Sequence, residues 1–236
     1  VINSAGEVIY RKDASTVRPI ASITKQMTAM VIIDSGIDLD EKITVTRDDR
    51  DRIQLTGSRL DYGATLSRRE MLLLAVMSSE NRAAMALGRT FPGGFDRFVE
   101  QLNRKAAELG MNDSRFADPA GLSVANVSTA SDLVRMVRAA SSYPLIRQAS
   151  TTTRKEVRPW PKRGPLVYGN TNRLLKNQSW DIALSKTGYL NEAGRCLVMQ
   201  ATIDGEPVSI VLLNSFGKLT PFGDSNRLRK WMLASN

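Results

Sequence analysis

The spacing of apolar residues along the chain changes from helical to extended. In the first strongly apolar stretch, the apolar residues that share one helical face are Ile23, Met27, Met30 and Val31. This spacing predicts a helix from about Ser22 to Ser35. Gly36 follows in the position where a glycine commonly ends a helix.

The middle of the chain keeps the helical spacing. Ser67 and Glu70 are the two ends of a Ser-x-x-Glu capping box, which predicts a helix that continues through Met77. After an interruption at 78–81, further helices are predicted at 82–87, 95–109 and 129–141. A turn-rich loop is expected over 116–123.

Extended spacing returns beyond Ser150. Short apolar runs predict strands at 182–184, 196–203 and 208–213. Asp204-Gly205 fits the tight turn between the last two, and an amphipathic helix is predicted over 224–233. At the other end, Val1 to Tyr10 predicts a hairpin whose turn is Asn3 to Gly6.

Strands at both ends that enclose a helical middle predict an α/β (α+β) fold. We expect an antiparallel sheet lobe flanked by helices, formed by about 1–21 and 151–236, beside an all-helical lobe of about 22–150. A chain of 236 residues can bury one substantial core, so a single domain over 1–236 is predicted.

Composition narrows the possible chemistry. The chain has no histidine, which excludes Ser-His-Asp and Cys-His catalysis and zinc sites built on histidine. A proton acceptor near neutral pH would then be a lysine, a tyrosine or a perturbed carboxylate. The net charge of +9 favours an anionic partner, although a solvated basic surface is the ordinary explanation. No apolar run approaches the roughly 20 residues that span a bilayer, and no secretion signal is visible at Val1.

Three short motifs carry candidate chemistry: Ser22-Ile23-Thr24-Lys25, Ser79-Glu80-Asn81 and Lys186-Thr187-Gly188. The first lies at a predicted helix start, where a spacing of three residues brings a hydroxyl and an amine to one face. The second lies where two helices meet. The third follows an apolar run, and a glycine beside a strand permits close approach of a substrate backbone.

Each motif alone has an ordinary interpretation. Ser-x-x-Lys also occurs at Ser215 to Lys218, and a helix-start serine near a lysine is common on surfaces. The second motif is consistent with a helix cap and the third with a turn at a strand end. All three in this order, in a chain without histidine, indicate a serine nucleophile activated by lysine.

These motifs resemble those of the penicillin-recognising serine enzymes, which include penicillin-binding proteins and serine β-lactamases. The likeness extends over four blocks, which are Val17 to Lys25, Met77 to Ala84, Asp118 to Ser123 and Gly217 to Asp224. These blocks are most similar to the low-molecular-mass D-alanyl-D-alanine peptidases, in particular to the endopeptidase branch of the penicillin-binding protein 7 type. The stretch from 151 to 180 carries little of the likeness.

The resemblance implies a β-lactamase/transpeptidase-like fold and a role for each motif. Ser22 would attack the carbonyl of a D-Ala peptide bond, and Lys25 would accept its proton. Burial and a second cation, Lys186, would lower the pKa of Lys25. Ser79 would relay the proton to the leaving amine.

The same resemblance implies the substrate-binding residues. Asn81 would hold a substrate amide, Lys186 and Thr187 with Gly188 would bind a carboxylate, and the oxyanion would meet the N–H groups of Ser22 and Tyr189. No cofactor or metal is expected.

The implied partners are peptidoglycan peptides and β-lactam antibiotics, in the periplasm. Nucleic acid and a stable membrane anchor are not expected. An endopeptidase that cleaves murein cross-links is favoured over a D-Ala-D-Ala carboxypeptidase, and both reactions pass through the same acyl-enzyme.

Two further interpretations remain open. A class A β-lactamase would need a Glu-x-x-Leu-Asn element, and Glu100-Gln101-Leu102-Asn103 is one residue short of it. A non-enzymatic basic module that binds nucleic acid or cell wall would explain the charge but not the three motifs.

Overall fold

The computed structural model describes residues 1–234. Its helices are Thr24–Asp34 (α1), Arg68–Met77 (α2), Asn81–Arg89 (α3), Gly94–Glu108 (α4), Ala130–Ala140 (α5), Pro144–Thr151 (α6) and Thr220–Ala234 (α7). Short 3-10 turns occupy Ala21–Ile23, Arg47–Asp49 and Arg173–Lys176. The strands are Ile2–Asn3 (β1), Arg18–Pro19 (β2), Lys42–Thr44 (β3), Thr65–Ser67 (β4), Val127–Ser128 (β5), Arg154–Val157 (β6), Leu166–Gly169 (β7), Asp181–Leu190 (β8), Gly194–Ile203 (β9) and Glu206–Ser215 (β10).

The principal sheet is antiparallel and has the strand order β1-β10-β9-β8. Asp204 and Gly205 both have positive φ in the turn between β9 and β10, as a tight hairpin of this kind requires. The strand β8 lies at one edge, and the 3-10 turn Ala21–Ile23 contacts it. The edge of the sheet therefore borders the start of α1.

Both faces of the principal sheet are buried, and β9 shows why. Cys196 and Val198 face the larger core, which is centred on α1 and the other helices between β4 and β8. Leu197 and Met199 point to the opposite face, where they join a second core that includes residues of α7. Successive residues of a strand face opposite sides, so one strand supplies both cores. This arrangement confirms the predicted fold class, while the limits of the two lobes and of the single domain stay a prediction.

The helix α1 is buried all round, although its sequence predicted one apolar face. Residues Thr24 to Ile32 are all buried, including Lys25 and Gln26. Helices α2 to α6 pack around it, so even its polar side chains lie in the interior. A lysine in this position cannot remain an ordinary solvated cation.

Most predicted elements agree with the structure. The capping box of Ser67 and Glu70 is formed in both directions at the start of α2, and Gly36 follows α1 with a φ of +67°. The strand β8 is longer than predicted and carries the whole Lys186-Thr187-Gly188 motif within it. The predicted interruption at 78–81 is real but shorter, since α3 begins at Asn81.

The predicted N-terminal hairpin is formed, while two other elements were not expected. In the hairpin, Ile2 bridges Val8 and the Ile9 N–H donates to the Val1 carbonyl at 3.0 Å, and Ile2 also pairs with Ser209 of β10. Helix α6 and the hairpin of β6 and β7 were not predicted.

Among residues 1–234, no helix combines the length and apolar content that a membrane crossing requires.

Candidate active site

Ser22 lies in the 3-10 turn that leads directly into α1. The preceding residue, Ala21, is fully buried and has a φ of +48°, which a residue with a side chain rarely adopts. The Thr24 hydroxyl donates a hydrogen bond of 2.9 Å to the Ala21 carbonyl. The surrounding structure thus holds a strained turn, with Ser22 at its partly exposed apex.

Two glycines make room for this turn. Gly121 has a φ of +77°, and a Cβ there would lie 2.0 Å from the Ala21 carbonyl oxygen. A Cβ on Gly188 would lie 3.2 Å from the backbone nitrogen of Ser22. The sequence suggested that Gly188 admits a substrate backbone. In the structure, it lets β8 approach the Ser22 turn.

The amine of Lys25 has three polar neighbours. Its Nζ lies 2.8 Å from Ser22 Oγ, 2.8 Å from Asn81 Oδ1 and 2.6 Å from the Ala120 carbonyl oxygen. The amide oxygen and the carbonyl can only accept, whereas a serine hydroxyl can donate or accept. A neutral amine therefore donates twice, to Asn81 and Ala120, and directs its lone pair at the Ser22 hydroxyl.

The Ala120 carbonyl is held in place by the buried carboxylate of Asp118. This carboxylate accepts hydrogen bonds from the backbone N–H groups of Ala120, Gly121, Leu122 and Ser123 and from the Asn126 side chain. Asp118 thereby fixes this loop. The loop supplies the Ala120 carbonyl, which contacts Lys25, and Gly121, which packs against Ala21.

Burial lowers the pKa of Lys25 from 10.5 to about 7. The side chain has no exposed surface, and desolvation disfavours its charged form. The carboxylates of Asp118, Glu80 and Asp51 act in the opposite direction and raise the pKa, so the amine still titrates near neutrality. A base of this pKa is well matched to proton abstraction at neutral pH.

The second buried amine belongs to Lys186 of β8. Its Nζ donates to Ser79 Oγ at 3.0 Å and to the Thr187 carbonyl at 2.9 Å. The Thr187 hydroxyl donates to Thr171 Oγ1 at 2.6 Å. Ser79 and Thr187 are partly exposed, whereas only 1% of Lys186 is exposed, so its amine lies beneath these two residues.

The two buried amines also disfavour each other's charge. Burial lowers the pKa of Lys186 well below 10.5, and repulsion from Lys25 lowers it further. We expected a Lys186 cation to lower the pKa of Lys25. Burial is the largest cause of that fall, and the repulsion between the two amines is mutual, so it disfavours the charged form of both.

The second motif occupies the sharp connection between α2 and α3. Ser79 has a φ of +61°, a left-handed conformation that a residue with a side chain adopts only at a cost of order 1 kcal/mol. This conformation and the start of α3 bring Ser79 to Lys186 and Asn81 to Lys25. The structure therefore joins all three motifs around Ser22.

Known proteins resemble this chain along most of its length. Residues 1–217 match the family model described as D-alanyl-D-alanine carboxypeptidase. The chain belongs to this family. The sequence-based assignment to the D-alanyl-D-alanine peptidases is therefore confirmed.

Two curated relatives and one solved structure show the extent of the likeness within this carboxypeptidase family. The D-alanyl-D-alanine endopeptidases of Pseudomonas aeruginosa and Escherichia coli are 48% and 46% identical to this chain, over 97% of the chain and 74% of each relative. The structure of the Streptomyces K15 DD-transpeptidase superposes with a TM-score of 0.90 at 28% identity and covers 99% of this chain and 95% of that one.

Tyr189 is the most exposed of the predicted site residues. Its hydroxyl donates to Asn191 Oδ1 at 2.7 Å, and the Arg195 guanidinium lies 3.5 Å from the centre of its ring. Both contacts lie near the hairpin between β8 and β9. They fix the ring at the end of the edge strand that borders Ser22.

Several polar groups of the site were not found from sequence. Asp51 and Thr56 lie in a loop without periodic pattern, and Thr56 Oγ1 accepts a hydrogen bond of 2.8 Å from Asn81. Thr171 supports Thr187, and its segment showed no chemical motif. Asp118 was within a block of family resemblance, but only its contacts show what it does.

The residues that suggested a β-lactamase lie elsewhere in this member of the carboxypeptidase family. Glu100 is exposed on α4 and pairs with Arg97 at 2.8 Å. Asn103 binds the backbone of Val99 and Phe116, so it serves the packing of a loop. The second Ser-x-x-Lys match starts at Ser215, the last residue of β10, on a strand rather than on a helix.

Proposed function

We propose that this protein is a serine D-alanyl peptidase that acts on peptidoglycan peptides through an acyl-enzyme on Ser22. The observation that carries the proposal is the contact of the Lys25 amine with Ser22 Oγ, in an environment that lets the amine be neutral. The family membership and the endopeptidase relatives support the substrate class.

Acylation begins when Lys25 accepts the Ser22 proton as Oγ bonds to the carbonyl carbon of a D-Ala residue. The developing oxyanion is stabilised by the backbone N–H groups of Ser22 and Tyr189. When the carbon–nitrogen bond breaks, the leaving amine takes a proton through the Ser79 hydroxyl. Water then hydrolyses the ester, with Lys25 again as the proton acceptor.

Substrate recognition is assigned to the partly exposed side chains around the two amines. Asn81 holds a substrate amide, while the Thr187 hydroxyl meets the carboxylate beyond the scissile bond. Lys186 lies beneath, in contact with Ser79 and Thr187, and an entering carboxylate favours its charged form. Gly188 and Tyr189 continue the same edge strand, on which the substrate lies.

The natural reaction is cleavage of D-Ala cross-links between murein strands. Both relatives at nearly half identity are named endopeptidases. The proposed site of action is the periplasm, where β-lactam antibiotics would acylate the same serine. The net charge of +9 favours association with an anionic wall polymer.

Mass spectrometry after incubation with penicillin tests the mechanism. We expect one covalent adduct per chain, mapped to Ser22, and none in Ser22→Ala with unchanged thermal unfolding. An adduct on Ser215, or labelling that persists in the variant, would exclude Ser22 as the nucleophile.

A second experiment tests the endopeptidase assignment. Purified cross-linked muropeptide dimers and pentapeptide monomers are supplied separately and followed by chromatography. We expect the dimers to be cleaved faster. Rapid loss of D-Ala from monomers with intact dimers would favour a carboxypeptidase and leave the serine mechanism standing.

A further inference from the structure

A loop at the edge of the active site, residues 50–58, is organised by one buried carboxylate. Only 4% of Asp51 is exposed. Its Oδ1 accepts the backbone N–H groups of Ile53 and Gln54 at 2.9 and 2.8 Å. Its Oδ2 accepts the backbone N–H of Thr56 at 2.9 Å and the Thr56 hydroxyl at 2.7 Å. We refer to residues 50–58 as the rim loop.

The rim loop is joined to the candidate base by a chain of hydrogen bonds. Thr56 Oγ1 lies 2.8 Å from Asn81 Nδ2, and Asn81 Oδ1 lies 2.8 Å from Lys25 Nζ. Lys25 Nζ in turn lies 2.8 Å from Ser22 Oγ. The chain thus runs from a buried carboxylate through a hydroxyl and an amide to the amine.

The chemistry of the groups gives this chain a single direction. An ionised carboxylate only accepts, so the Thr56 hydroxyl donates to Asp51 and presents its lone pairs to Asn81. The Asn81 amide must then turn its Nδ2 towards Thr56 and its Oδ1 towards Lys25. In the opposite orientation, the Asn81 NH2 group would face the Lys25 amine, and Asn81 Oδ1 would face Thr56 Oγ1, whose proton is already donated to Asp51.

We propose that Asp51 and Thr56 are positioning residues, which fix the Asn81 amide and so direct the lone pair of Lys25 at Ser22 Oγ. The inference rests on the proposed function. With Asn81 Oδ1 fixed as an acceptor, one N–H of the neutral amine is committed there and another to the Ala120 carbonyl. The lone pair then faces the serine hydroxyl.

The Thr56 side chain is exposed, so its hydroxyl can be removed with little effect on packing. The rim loop keeps the contacts of Asp51 with three backbone N–H groups, together with a hydrogen bond from Gln54 Nε2 to the Leu122 carbonyl. Thr56→Val therefore breaks the chain and leaves the loop fastened.

A second variant separates the effect of the Asp51 charge on the pKa of Lys25 from the effect of Thr56 on the orientation of Asn81. The ionisable groups that act on Lys25 are the carboxylates of Asp51, Glu80 and Asp118 and the amine of Lys186. Thr56→Val leaves all four unchanged. Asp51→Asn removes one carboxylate that raises the pKa of Lys25. Its amide oxygen can still accept from Thr56, at the cost of turning the amide nitrogen towards the backbone N–H groups of Ile53 and Gln54.

The test is the rate constant of acylation by a fluorescent penicillin, measured from pH 5 to 9 on the full chain. Thr56→Val should lower the rate at the pH optimum about tenfold to a hundredfold, because the base is misdirected. Thr56→Ser keeps the hydroxyl and should restore the rate. Asp51→Asn should move the acidic limb to lower pH.

Asp48→Asn is the matched control for loss of charge. Asp48 lies in the preceding 3-10 turn, 77% of its side chain is exposed, and its carboxylate pairs with Arg52 at 3.8 Å. This variant should leave both the rate and the acidic limb unchanged. Thermal unfolding of each variant reports whether the fold is preserved.

Three outcomes would overturn the inference. The first is a wild-type rate in Thr56→Val, and the second is an equal loss of rate in Thr56→Ser, which would indicate packing rather than hydrogen bonding. The third is a wild-type chain that penicillin does not acylate, which overturns the proposed function as well. The first two leave the proposed function intact.

Discussion

The two buried lysines of the site differ in their electrostatic surroundings. Lys25 on α1 is influenced by three carboxylates, which partly compensate for its burial. Lys186 on β8 is affected by burial and by the repulsion of Lys25, both of which lower its pKa. Two equally buried lysines therefore differ in chemistry. Nearby carboxylates keep the pKa of Lys25 near neutrality, whereas Lys186 needs an anionic ligand to be charged.

The largest expected difference between the lysines concerns their replacement by arginine. Lys25→Arg keeps a cation but cannot accept a proton, so acylation by penicillin should fall about a thousandfold. Lys186→Arg supplies a cation for the carboxylate that Lys186 is proposed to bind, and the loss should be nearer tenfold. Stopped-flow acylation of both variants measures the ratio.

Equal losses in the two arginine variants would contradict the comparison, since they would show that neither lysine acts specifically as the base. Thermal unfolding of both variants is the control, because arginine is larger than lysine and each site is closely packed.

The second prediction concerns the ligand. A carboxylate that enters beside Thr187 provides an anion for Lys186 and raises the pKa of that amine. A neutral methyl ester of penicillin lacks this charge and should acylate Ser22 about ten to a hundred times more slowly than the acid. Acylation kinetics with both compounds provide the measurement, and equal rates would show that Lys186 does not recognise the carboxylate.

The third prediction concerns stability. The pKa of Lys186 is lower in the folded than in the unfolded chain, so the unfolded chain binds more protons at neutral pH and is favoured there. Lys186→Met removes this penalty and should raise the free energy of unfolding at pH 7, because the penalty outweighs the net contribution of the two lost hydrogen bonds, about 1 kcal/mol each.

The same linkage fixes the pH dependence of this gain. As the pH rises towards 10.5, the unfolded lysine also loses its proton, and the advantage of Lys186→Met should shrink. Urea unfolding at pH 7 and pH 10 tests the sign. A gain that is constant with pH would point to packing instead of charge.

The smallest predicted effect is on the acidic limb of acylation. This limb should have its midpoint near pH 7, because Lys25 must be neutral to act as the base. Glu80→Gln removes a carboxylate that raises the pKa of Lys25, so the midpoint should move to lower pH. An amide at position 80 can still cap α3, where Glu80 accepts the Arg82 N–H.

The sequence predicted the contacts between residues that are close to each other along the chain. Ser22 and Lys25 are three positions apart on one helical turn, so their contact follows from helix geometry. The contact of Thr56 with Asn81 joins positions 25 residues apart through a loop without regular structure. No periodic pattern encodes such a contact, and it depends on how the rim loop folds over the site.

The length of β8 shows a second limit of sequence patterns. Ser185 to Thr187 are polar residues after an apolar run, and they were read as the end of a strand. In the structure they continue the strand, because β9 pairs with them and α6 packs against β8. Helix α6 itself has a proline at its first position, which is a favourable start for a helix.

The most direct test of the central claim is a titration of the lysine side-chain amines by heteronuclear NMR, with Lys25→Arg and Lys186→Arg used for assignment. The account predicts one amine that titrates near pH 7 and is missing from the Lys25→Arg spectrum. A Lys25 resonance that titrates above pH 9, as an ordinary solvated lysine does, would contradict its assignment as the base for Ser22.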